Sequence, residues 1–179
     1  ENASPYSPSS RRWLNVLYID VAAVTDFQLS AVAQTWWQLP ETQQTLAQAR
    51  ATEWVDYAAV TRLKIQALSL AWPQFIQRDA ADPEVQAFNA FIQEGGESLQ
   101  HQALFDALHA DQMAQDSGRW GWPVWPEALQ HPGSPAVQTF LKQHEDQVRF
   151  WLWLQWLAAQ QFESCWNSCQ QQQMPIGLY

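Results

Sequence analysis

Carboxylates recur in close pairs along this 179-residue sequence: Glu53 with Asp56, Asp79 with Asp82, and Glu145 with Asp146. Two carboxyl groups set about one bond can divide acid and base work between them, one protonating a leaving oxygen while the other attacks or activates water. Asp106 and His109, spaced for one helix face, offer a second acid and base. Cys165 and Cys169 stand four apart, as two metal ligands on a helix would, but no further ligands accompany them. Each group also has a plainer reading. The carboxylates fall where helix caps or solvated faces are expected, Asp106 and His109 read as a surface pair, and the cysteines as free thiols of a reducing compartment. No catalytic residue, metal site or cofactor is assigned from them.

Twelve tryptophans are the strongest anomaly of the composition. Trp13, Trp36, Trp37, Trp54, Trp72, Trp151, Trp153, Trp156 and Trp166 lie in helical patterns and can fill a core between helices. The alternative is that some rings lie flat at a surface, where an aromatic face packs on the C–H side of a sugar while polar neighbours hold its hydroxyls. The loop "RWGWPVWP" leans to the second, because Trp120, Trp122 and Trp125 occur with Gly and Pro and outside any helical period.

The elements that must position these groups are helical. "LSAVAQTWWQ" stops at Pro40. The next stripe, Tyr57 to Ile76, has Asp56 as N-cap and is expected to kink or break at Pro73. A third helix has Asp82 as cap, Pro83 at its first position and Gly95 just past its end. "ESLQHQALFDALHADQMAQDSG" repeats the pattern up to Gly118 with Leu99, Ala103, Phe105, Leu108 and Gln112, and Ser134 with Pro135 opens one long helix to about Gln171. The two ends differ. The first segment, "SPYSPSSRRWLNVLYID", has the Pro and Ser density of an ordered irregular loop, and "MPIGLY" reads as the start of a buried strand whose sheet is missing from the chain.

Composition narrows the partners. With 47% hydrophobic and 15% charged residues the chain can build a core, and a net charge of -9 with nine scattered Lys and Arg argues against nucleic acid and against an anionic membrane. An uncharged substrate fits better. No secretory leader and no membrane span is visible, so a soluble, cytoplasmic protein is expected.

"ASPYSPSSRRWLNVLYID", "WVDYAAVTRLKIQAL", "FDALHADQMAQDSGRWGWPVWPEAL", "FWLWLQWLAAQQF" and "MPIGLY" together resemble, in order and spacing, the 4-alpha-glucanotransferases of glycoside hydrolase family 77. The resemblance covers nearly the whole chain and is closest to the enterobacterial type. It implies a mainly α segment: a helical insertion subdomain of a TIM-type (β/α) barrel, with an irregular N-terminal loop and a truncated C-terminal strand. Residues 1–20 would be a barrel-proximal substrate loop, 21–173 the insertion, and 174–179 the start of a barrel strand. It further implies transfer of alpha-1,4-glucan chains between maltodextrins with retention, a maltodextrin partner, no cofactor, and catalytic carboxylates on barrel strands beyond Tyr179, in the remainder of the parent catalytic domain. By the same resemblance Ser4 and Tyr6 of the "SPY" motif line the donor side of the sugar groove, Asn15 bonds backbone, and Lys64 matches a lysine without an assigned role. Where some relatives carry a Tyr for a second glucan site, this chain has Thr61, which leaves an equivalent site unsupported. A free-standing helical carbohydrate-binding or interaction module is the alternative.

Overall fold

The structure, a computed structural model, describes residues 10–176; Ser4, Tyr6 and the last three residues of "MPIGLY" lie outside that range. Among the described residues there is no strand. The elements are helices α1 (Thr25–Leu29), α2 (Ala31–Trp37), α3 (Pro40–Ala51), α4 (Tyr57–Ile76), α5 (Pro83–Gln115), α6 (Pro135–Gln143) and α7 (Glu145–Gln171), with four short 3₁₀ turns. Met174, Pro175 and Ile176 follow α7 without regular structure. The chain divides into two compact units, one of residues up to Gln86 with those from Leu157 onward, the other of Ala87–Trp156.

In the first unit α4 is the spine. Asp56 caps it, its Oδ1 accepting from the Ala59 amide at 2.9 Å, and Ala67, Leu68, Ala71, Trp72 and Phe75 form its buried stripe. Helices α1, α2 and α3 pack on it. Ser30 ties two of these elements together: its hydroxyl oxygen accepts from the Ala33 amide at 3.2 Å to start α2 and donates to the Leu70 carbonyl of α4 at 3.1 Å. Of the kink or break expected at Pro73, the break does not occur: the helix continues through it to Ile76. Pro73 removes one intrahelical donor, the one that would reach the Ser69 carbonyl, and burial of Trp72 and Phe75 on either side outweighs the loss.

In the second unit the two helical runs expected around Gly95 are the arms of α5, which meet at Gly96 with φ 55° and ψ -150°. That backbone region is essentially reserved for glycine. A Cβ on Gly96 would meet nothing within 4 Å, so the strain of substitution there is backbone strain alone. At Gly95 a Cβ would come 2.5 Å from Leu99 Cδ2, and Leu99 is wholly buried. Gly96→Ala is therefore expected to destabilise by about 1–3 kcal/mol, and Gly95→Ala by at least as much through displacement of Leu99. Urea unfolding midpoints check both, and a Gly96→Ala protein as stable as the parent would show that the arms can join differently.

The long helix expected from Ser134 to about Gln171 is two helices. Ser134 does cap the start, accepting from the Val137 amide at 3.3 Å, but His144 leaves the helical region at φ -123° and ψ 32°. The ladder is barely interrupted, since the His144 amide donates to Phe140 and its carbonyl accepts from Val148, at 2.9 and 3.1 Å. Glu145 and Asp146 then supply the negative charge that a new helix N-terminus favours.

Candidate functional site

Residues 10–20 are pinned at several points. Ser10 Oγ accepts from the amides of Arg12 and Trp13 at 3.2 and 3.1 Å. Asn15 Oδ1 accepts from the Leu17 amide at 3.0 Å, which caps the 3₁₀ turn Val16–Tyr18 and makes Asn15 the backbone-bonding residue that was expected. Lys64 of α4 donates to the carbonyls of Leu17 and Ile19 at 2.6 and 2.8 Å, at the end of that turn. Burial pulls its pKa below the ordinary lysine value while the nearby Asp20 carboxylate pulls it back up. Asp20 is itself clasped by Gln161 of α7, whose amide accepts from the Asp20 N–H at 2.7 Å and donates to its carbonyl at 3.0 Å. Lys64 thus holds the backbone leading out of the "SPY" stretch. Its partners lie 45 and 47 residues away, beyond the reach of any local pattern.

The Trp-rich loop separates into one anchor and two exposed rings. Trp125 is 5% exposed and stacks on Phe105 of α5 with centroids 5.4 Å apart, and its Nε1 donates to the Arg119 carbonyl at 3.1 Å. His109 stacks on the same Phe105, and its Nε2, which must carry a proton, donates to the Trp120 carbonyl at 3.0 Å. Gln130 Nε2 donates to the Trp125 carbonyl at 2.8 Å. Trp120 and Trp122 stand 63% and 55% exposed on this braced loop. Trp54 is exposed as well, whereas Trp72, Trp153 and Trp156 are buried, so the core reading holds for only part of the set.

An open cleft of about 480 Å³ adjoins the loop, lined by Asp111, Gln112, Gln115 and Arg119 from one side and by Pro126, Leu129, Thr139, Phe140, Gln143 and His144 from the other. Arg119 is held by the side-chain oxygens of Gln112 and Gln115 at 2.8 and 3.1 Å, and Asp111 accepts from both of those amides. The Phe140 and His144 rings stack at 4.3 Å. Neither this cleft nor the braces of the loop were foreseen, although Gln112, a polar residue on an otherwise apolar stripe, was their one signal.

The paired carboxylates bond backbone amides or lie exposed at the surface. Asp56 caps α4, Asp82 Oδ1 accepts from the Glu84 amide at 2.8 Å, Asp79 Oδ1 from the Ala81 amide at 2.7 Å, and Glu53, Glu145 and Asp146 are exposed. Asp106 and His109 are not the surface pair expected. Among the described residues Asp106 is bonded by Gln102, whose Nε2 lies 3.1 Å from each carboxyl oxygen, and burial pushes its pKa up to about 7. Among the described residues no three His, Cys, Asp or Glu side chains gather as a metal set would, and no helix is long and apolar enough to cross a membrane.

A helical segment with residues 10–20 pinned to it and an aromatic, polar surface loop is thus what the described residues present, and comparison with known proteins gives the chain a family. A family profile described as 4-alpha-glucanotransferase matches residues 1–178. The chain is 35% identical to a 4-alpha-glucanotransferase of Haemophilus influenzae, over 99% of this chain and 26% of that protein. It is 30% identical to one of Mycobacterium tuberculosis, over 98% of this chain and 22% of that protein. The chain belongs to the 4-alpha-glucanotransferase family, and it spans about a quarter of the length of the curated relatives it matches.

Proposed function

We propose that this chain is part of a 4-alpha-glucanotransferase that moves alpha-1,4-glucan segments between maltodextrins by retaining glycosyl transfer, and that it supplies one wall of the glucan groove but no catalytic carboxylate. The observation that carries this reading is the family match along residues 1–178, in relatives about four times as long. In it, residues 1–20 form the substrate loop, with Ser4 and Tyr6 on the donor sugar, 21–173 form the helical insertion of a TIM-type barrel, and 174–179 begin a barrel strand. Lys64, Asn15 and Gln161 fit as the braces of that loop, since a sugar held loosely at the reacting bond loses much of the rate. The cytoplasm suits Cys165 and Cys169, which are both free thiols.

Retaining transfer needs an attacking carboxylate and an acid on opposite sides of one sugar, whereas Asp56, Asp79 and Asp82 are tied to backbone amides and Glu53, Glu145 and Asp146 lie at the surface of the chain. The chain by itself should therefore not disproportionate maltotriose. In the full-length enzyme Tyr6→Ala should lower kcat/KM about tenfold or more by loosening the donor sugar. Chromatography of glucose and longer dextrins released from maltotriose reads both, and turnover by the chain alone, or an unimpaired Tyr6→Ala enzyme, would overturn the assignment.

A further inference from the structure

We infer that Lys64 is a positioning residue for glycosyl transfer, its ammonium orienting residues 15–20 so that the loop of Ser4 and Tyr6 meets the donor sugar at one fixed place; this rests on the proposal that residues 1–20 are the substrate loop. Three observations converge on it. The first is where the lysine sits. Lys64 lies one turn before Leu68 and two turns before Ala71, on the face of α4 that carries these two wholly buried side chains. Burial there lowers its pKa, the mark of a charge held at a desolvation cost. An apolar residue would serve that face more simply, but it could not bond the backbone of another segment.

The second is what it holds. The 3₁₀ turn Val16–Tyr18 uses the carbonyls of Asn15 and Val16 for its own bonds, which accept from the amides of Tyr18 and Ile19 at 3.1 and 3.2 Å. The carbonyls of Leu17 and Ile19 remain at its C-terminal end, where a helical turn leaves acceptors unused, and Lys64 Nζ donates to both, at 2.6 and 2.8 Å. A compact ammonium with three donors and no acceptor suits two carbonyls of alternate residues. Two bonds from one atom fix the direction of the turn as well as its place.

The third is how little apolar burial helps. No residue of the turn is buried, Tyr18 is 85% exposed, and Ile19 is the one buried side chain between residues 14 and 20. Apolar burial is non-directional, so a single anchor leaves rotation about it free, and directional bonds must remove that freedom. One residue further on, Gln161 takes hold of both backbone groups of Asp20. Loosening a segment oriented in this way misplaces the sugar at the reacting bond, which lowers kcat more than it raises KM.

The test compares the full-length enzyme with Lys64→Met, Lys64→Arg, Tyr6→Ala and the double variant Lys64→Met/Tyr6→Ala, measuring kcat and KM for maltotriose, melting temperature and amide hydrogen exchange. Lys64→Met should lower kcat about tenfold and leave KM within about twofold. Exchange should quicken in residues 15–20 and not along α4, because methionine keeps the apolar contacts of the lysine stem. Lys64→Arg should regain part of the lost kcat, since a guanidinium still donates to carbonyls. In the double variant Lys64→Met should add little to the loss caused by Tyr6→Ala, as for a residue that acts through the loop. An impaired Tyr6→Ala enzyme beside an unimpaired Lys64→Met one would overturn the inference and leave the substrate-loop reading standing. Fully additive losses, or a fall in kcat accompanied by faster exchange along α4, would also overturn it, the second by making Lys64 a residue of the fold alone. Should Lys64→Met fail to fold, Lys64→Gln, one atom shorter and uncharged but still a donor, takes its place with the same outcomes. An unimpaired Tyr6→Ala enzyme would refute the substrate-loop reading itself, and the role of Lys64 with it.

Discussion

Replacement of Arg78 by Ala is expected to destabilise the first unit by about 3 kcal/mol or more. The Asp26 side chain on α1 is 4% exposed, and its Oδ1 accepts from Arg78 Nε at 2.9 Å. The same guanidinium reaches Asp82 Oδ2 at 3.4 Å and lies over the Phe75 ring at 5.7 Å. Burial already pushes the Asp26 carboxyl above its ordinary pKa, and the bond and charge of Arg78 are what hold it down. Without the arginine a buried carboxylate is left with its largest compensation gone. It then costs desolvation when ionised, or binds a proton that it keeps to higher pH. The loss should therefore be largest near neutrality and shrink as pH falls, because below the raised pKa the carboxyl is neutral and needs no partner. Arg78→Ala/Asp26→Asn should recover part of the stability, which separates an uncompensated charge from lost packing of the arginine stem. Arg78→Lys should recover less than a full ion pair, since one ammonium cannot serve Asp26 and Asp82 from the same stem. Urea unfolding at pH 5 and pH 7.5 measures all of this, and an Arg78→Ala protein within 0.5 kcal/mol of the parent at both would show that water reaches Asp26 freely.

What the sequence disclosed and what it hid divide by distance along the chain. Asp56, Asp82 with Pro83, and Ser134 with Pro135 were legible as helix starts because a cap bonds an amide only two or three residues ahead. The bend at Gly95 and Gly96 was legible for a similar reason, as paired glycines interrupt any helical pattern. The break at His144 was not, because Phe140, Val148 and Leu152 keep helical spacing across it and a change of direction leaves that spacing intact. Lys64 could be matched but not explained, its partners being carbonyls far back in the chain. The Trp residues show the same limit. Periodicity says which helix face is apolar, but not that Trp54 and Trp166 would remain substantially exposed while Trp125, in a loop, would be buried. Ser4 and Tyr6 rest on resemblance alone, since no pattern in a terminal loop marks a sugar contact.

Asp106→Asn should stabilise the second unit, and only above mildly acidic pH. The carboxyl of Asp106 is pushed from the ordinary 3.8 to about 7, chiefly by burial, with Gln102 opposing as a donor to its charged form. Since the folded-state pKa is the higher one, the native protein holds a proton that the unfolded chain has released between these two values. Stability associated with this group is thus fully present below about pH 4 and is lost as pH rises towards 7. Three pK units would correspond to about 4 kcal/mol; relaxation of the helix surface and water penetration reduce this, and about 2 kcal/mol is the effect to expect at pH 8. Asparagine keeps an oxygen for Gln102 Nε2 and nearly the same volume, yet never carries the charge. The variant should match the parent at pH 4 and melt about 4 °C or more above it at pH 8. Taking the difference between the two proteins at each pH cancels the titration of the histidines, which both share. Transfer by the full-length enzyme should be nearly unchanged, because the Asp106 carboxyl is engaged by Gln102 of its own helix and no substrate contact is assigned to it. Equal melting of the two proteins at pH 8, or a variant that is less stable there, would mean that the ionised carboxylate is stabilised by a donor or solvent path and that its burial is not a cost to the fold.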